Sequence, residues 1–229
     1  MLTKNKIEEI IRSSSQRAKK MNFTIFNRII VRLLQPTLVP FEEVVNKIEE
    51  TVPSFLFDEI DEIFVGSFSE NDSRALEAYY ESGAIYVTSD MPTVMDYVES
   101  IVHETAHSIE HLMGFLIYGD KKIESEFLAK RDTLERVLRA NRFDTSDLDF
   151  NNPEYSEVFD LYLYKEVGYE KLDSITSGLF YSPYAATSIR EYFANGFEKF
   201  FMEDRGQLKR ISPQLTMKIW EILGNEDEI

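Results

Sequence analysis

The chain has 229 residues, 43% hydrophobic and 13% aromatic, with no cysteine and a formal net charge of −16. That length buries one sizeable core, and the composition is that of a folded chain rather than a disordered one. The missing cysteines exclude disulfides, thiol nucleophiles and cysteine-ligated metals and fit a reducing compartment, while the acidity excludes nucleic acid as an expected partner.

The charge is uneven. Residues 1–35 hold eight Lys or Arg against Glu8 and Glu9, which leaves −22 on the remainder. An acidic body suits neutral or basic polypeptides. The basic start offers a docking face to an acidic partner, although a solvated helical face explains the same pattern. No apolar run reaches membrane-spanning length, and the first residues lack the apolar core of a secretion signal. The expected location is therefore cytoplasmic, or elsewhere by a leaderless route.

In chain order, apolar spacing predicts helices over 3–20 and 22–35, the second ending near Pro36. Together they make residues 1–40 a basic helical N-terminal extension. A short helix is expected from Phe41 to Thr51, then a strand within Ile60–Phe68, a strand or turn over Ala75–Tyr80, and a strand over Gly83–Thr88. A helix follows from Asp90 or Thr93, with Pro92 in its first turn and Gly114 as its stop. Residues 120–141 read as a charged helix, 144–153 as an acidic loop, 154–167 as an aromatic-rich helix, and 172–187 as irregular. The last well-marked helix runs from about Ser188 to Met202, on a buried stripe of Ile189, Tyr192, Phe193, Phe197, Phe200 and Phe201.

All three histidines, His103, His107 and His111, fall in one nine-residue window of the helix after Thr88. Its apolar residues Val94, Val98, Ile101, Val102, Thr105 and Ile109 share one side, and the imidazoles lie opposite. His103-Glu104-Thr105-Ala106-His107 sets two ring nitrogens one turn apart, where they converge on a single ion. Glu104 is offset, able to reach a water on that ion. A catalytic zinc takes three protein ligands and keeps one open position, so a third ligand is needed. His111 and Glu110 continue along the same helix, a linear arrangement that wraps a tetrahedron poorly. Glu191 stands on a separate helix, but Ser188 and Glu191 also have the spacing of a capping box. From the residues alone, ligand and cap are equally good readings.

The string Glu191-Tyr-Phe-Ala194, with Tyr184 seven residues before it, resembles the lethal-factor-type zinc endopeptidases, which include the Pro-Pro endopeptidases. The resemblance implies a gluzincin-like α+β zincin fold: a small mixed sheet over the histidine helix, with a mostly helical C-terminal half. It also implies Zn²⁺ on His103, His107 and Glu191, Glu104 as general base, and a Tyr184 hydroxyl aimed at the substrate carbonyl. An oxyanion needs a donor on its far side, which gives Tyr184 a rationale of its own; packing is its plainer reading. His107 and Glu191 are 84 residues apart, longer than is usual for the family, so residues 41–229 read as the catalytic domain with an insertion at about 115–175. The alternative is a non-catalytic structural or binding protein, virion- or toxin-associated, that keeps a zincin fold without turnover. His111 is expected to line the cleft or simply to face solvent.

Overall fold

Asn22 to Leu33 satisfies helical spacing and strand alternation almost equally, and the computed structural model, which describes residues 22–68 and 77–224, shows a hairpin. Strand β1 (Asn22–Ile25) pairs antiparallel with β2 (Ile29–Leu33). Phe26 and Asn27 turn the chain with positive φ angles of 52° and 55°. Ile25, Ile29 and Val31 are fully buried while Ile30 is 38% exposed, an alternation of period two. The helix expected over 22–35 is therefore corrected to strand: β-branched residues and a left-handed turn outweigh the helical spacing. Residues 22–33 belong to the sheet and not to a helical extension. The helix expected over 3–20 lies outside the described residues.

The chain divides into two compact units, Met1–Ser108 and Ile109–Ile229. In the first, helix α1 (Phe41–Thr51) buries Phe41, Val44, Val45 and Ile48 and leads to β3 (Glu62–Gly66). Strands β4 (Ala78–Glu81) and β5 (Ala84–Thr88) complete a mixed five-stranded sheet of order β1-β2-β3-β5-β4. β2, β3 and β5 run parallel, with Val31 opposite Ile63 and Ile63 opposite Ile85, all fully buried. On the other face Phe64, Tyr86 and Tyr79 stack across β3, β5 and β4, with ring centroids 5.2 and 4.7 Å apart. Such cross-strand pairs pin the register.

Helix α2 (Val94–Tyr118) begins at a reciprocal cap. The Asp96 N–H donates to the Thr93 hydroxyl at 3.1 Å, and the Thr93 N–H donates to the Asp96 carboxylate at 2.9 Å. It runs through Gly114, the expected stop, because a helical glycine costs only about 1 kcal/mol and nothing there turns the backbone left-handed. The helix ends beside Gly119, whose N–H closes the last turn on the Phe115 carbonyl.

In the second unit α3 (Lys122–Ala140) buries Ile123, Phe127, Lys130, Arg131, Leu134 and Leu138. After the acidic loop come α4 (Glu157–Leu161), a π-helical turn (Tyr162–Val167), α5 (Tyr169–Ile175) and a 3₁₀ turn (Tyr184–Ala186). Helix α6 (Ile189–Met202) follows, then α7 (Arg205–Ile211) and α8 (Pro213–Ile222); α5, α7 and α8 were not expected, and α5 takes the first residues of the stretch 172–187 read as irregular. Gly196 permits the close approach of α6 and α8: a Cβ there would overlap the Leu215 side chain. Trp220 of α8 packs edge-on against Phe200, centroids 4.9 Å apart, under the Arg205 guanidinium. The architecture is α+β, with a small mixed sheet and a mostly helical C-terminal half. No described helix is long and apolar enough to cross a membrane.

Candidate metal centre

Helix α2 sorts its faces as its sequence implies. Val98, Ile101, Val102, Thr105 and Ile109 are buried, while His103 and His107 are half-buried, their ring centroids 5.2 Å apart and tilted by 73°. One potential ligand atom from each of His103, His107 and Glu191 lies within 4.8 Å of the other two. Among the described residues this is the one group of three or more His, Asp or Glu side chains so gathered. Two imidazole nitrogens and a carboxylate oxygen, half-buried and reachable by solvent, form a donor set capable of holding a divalent metal ion.

Glu191 reconciles both readings of its position. Its backbone N–H donates to the Ser188 hydroxyl at 3.2 Å, so Ser188 does cap α6, while the Glu191 carboxylate belongs to the triad. Glu104 sits between the two histidines in sequence and is 8% exposed. Tyr184, itself half-buried, opens the 3₁₀ turn that feeds α6. His111 is exposed one turn beyond His107 and is not part of the triad.

Glu110, the other candidate on α2, is engaged elsewhere. Its Oε2 accepts from Arg190 Nε at 2.8 Å, and its Oε1 accepts from the Tyr118 hydroxyl. Burial first, and then the Glu110 carboxylate, push the Tyr118 phenol far above its ordinary range, so it stays a donor.

The turn carrying Tyr184 is held from within by Arg131, a residue the sequence reading passed over. Fully buried on α3, its guanidinium donates to the carbonyls of Ala186 at 2.8 Å and Thr187 at 2.7 Å. It also reaches Asn152 and Asp149 and lies 3.8 Å from the Phe159 ring centroid. Burial lowers its pKa to about 10, which keeps it charged. Beside it Lys130 donates to the Leu179 carbonyl at 2.5 Å and to the Ile211 carbonyl at 2.7 Å. A sequence signal existed: this basic pair interrupts the buried stripe Ile123, Phe127, Leu134, Leu138. Asn195, one turn after Glu191, was also missed; its side-chain oxygen is buried with no hydrogen-bond partner.

No protein-family model matches the chain, and neither a curated protein nor a solved structure does. The triad's geometry thus carries the functional reading.

Proposed function

We propose that the chain is a zinc-dependent endopeptidase of zincin type, acting on neutral or basic polypeptides. The observation that carries this is the convergence of His103, His107 and Glu191, from two separate helices, within 4.8 Å. His103, His107 and Glu191 would hold the zinc, and three protein ligands are the number that zinc hydrolysis requires. Zinc held there would lower the pKa of a water to about 7 and polarise a peptide carbonyl.

The remaining chemistry belongs to the chain. Glu104 follows the first ligand directly, so its carboxylate takes the proton of the attacking water and delivers it to the departing amine nitrogen. The Tyr184 hydroxyl, on the turn that Arg131 holds, donates a hydrogen bond to the oxygen that gains charge as the carbonyl is attacked. Such a donor acts best when fixed before reaction, and a turn anchored by two short guanidinium–carbonyl bonds provides this.

The test is zinc stoichiometry of the chelator-free chain beside Glu191→Ala, followed by a peptide-library digest with Glu104→Gln. One zinc per chain, greatly weakened by Glu191→Ala, establishes the three-ligand site. Cleavage abolished by Glu104→Gln with zinc retained establishes the proton role, and full turnover by that variant defeats it. Zinc without cleavage of any library peptide favours a structural or binding protein.

A further inference from the structure

Resting on the reading of His103, His107 and Glu191 as a metal site, we propose that the Glu110–Arg190 ion pair is a positioning clamp that fixes Glu191 for metal binding. Glu110 lies three residues after His107 on α2, and Arg190 lies one residue before Glu191 in the first turn of α6. The 2.8 Å bond between them joins the neighbour of one ligand to the neighbour of another. Adjacent helical residues point about 100° apart, so holding Arg190 sets the direction in which Glu191 projects. Ser188 determines where α6 begins, and the clamp determines which way its first turn faces.

Burial on the Glu110 side gives the contact its rigidity. That side chain is 6% exposed against 56% for Arg190, and a carboxylate so enclosed is held by the donors around it. Both oxygens are engaged, by Arg190 Nε and by the Tyr118 hydroxyl, and the Tyr118 ring lies 6.2 Å from that of Phe193, one turn after Arg190. The same saturation makes Glu110 unsuitable as a ligand and suitable as an anchor.

The experiment measures Zn²⁺ affinity of the full chain by competition with a chromophoric chelator, and the visible absorption of the Co²⁺-loaded protein. Glu110→Gln and Arg190→Met should each weaken Zn²⁺ by about 10- to 100-fold and alter the Co²⁺ bands. The double variant should be no weaker than the worse single one, since both act through one contact, and Arg190→Lys should recover part of the loss. Thermal unfolding of the metal-free proteins checks the fold. If Glu110→Gln does not fold, Arg190→Met, at a half-exposed side chain, carries the test. Unchanged affinity and Co²⁺ spectrum in Arg190→Met, with metal lost in Glu191→Ala, overturn the clamp and leave the site standing. No metal on the wild-type chain, or full affinity in Glu191→Ala, overturns the site and the clamp with it.

Discussion

The two units treat buried charge in opposite ways. Among the described residues up to 108, Glu104 is the one buried charged side chain; the rest of that interior is rows such as Val31, Ile63 and Ile85. Beyond 108 the interior holds Lys130, Arg131, Asp160, Glu198 and Lys218 alongside its aromatics. These charges bind carbonyls, hydroxyls and less buried opposite charges: Asp160 accepts from the hydroxyls of Tyr155 and Tyr169, and Lys218 meets Asp120 at 3.0 Å. A sheet satisfies its own backbone, so its interior can be purely apolar. Short helices and turns expose many carbonyls, and buried cations answer them. The lesson is that charge in the helical unit shapes loops, whereas in the sheet unit the single exception coincides with the histidine motif.

Substituting a buried charge in one unit and a buried aliphatic in the other is the strongest way to break that contrast. Arg131→Met should cost about 3 kcal/mol, because it strips donors from buried carbonyls. Ile63→Val in the sheet should cost only about 0.5–1.5 kcal/mol. Denaturant unfolding of the two variants decides the matter: equal costs would mean that the guanidinium merely fills space.

Close packing sharpens the comparison on a smaller scale. Gly196→Ala should destabilise by about 1–3 kcal/mol through overpacking against Leu215. Adding Leu215→Ala should remove most of the overlap term, leaving the cost of Leu215→Ala alone, and a double-mutant cycle by thermal unfolding reads that coupling.

The most gradual effect is a pH dependence in the helical unit. Burial lowers the Lys130 pKa from 10.5 to about 8. Below pH 8 both folded and unfolded chains hold this proton, and the folded state bears the cost of a buried charge. Between about 8 and 10.5 the folded chain has released the proton and the unfolded chain has not, so stability from this residue rises with pH. The slope is at most about 1.4 kcal/mol per pH unit. Urea unfolding from pH 8 to 10 should show wild type gaining on Lys130→Met; a constant difference would show that Lys130 titrates normally.

The site was more legible than the fold around it. Histidines at i and i+4, the sorted faces of α2 and the string at Glu191 are local patterns, and the structure gathers His103, His107 and Glu191 into one cluster that could hold a metal ion. β1 and β2 escaped because Phe26 and Asn27 adopt left-handed backbone without a glycine to announce it. Gly114 misled because glycine ends a helix only where the chain needs a positive φ. Helices α7 and α8 are short and anchored from afar: Glu126 of α3 accepts from the Gln214 and Leu215 N–H groups at the start of α8. Arg131, Glu110 and Arg190 act through partners distant in sequence, and no window along the chain reveals such pairings.

Trp220 is the only tryptophan in the chain, and it is buried against Phe200 and beneath Arg205. Indole emission therefore reports on one corner of the helical unit, where this packing sets the signal. The protein thus carries a built-in optical reporter for that unit, with no label required. Coincident melting of indole emission and far-ultraviolet dichroism would mark one cooperative structure, and a gap between them would reveal whether this corner yields before or after the rest.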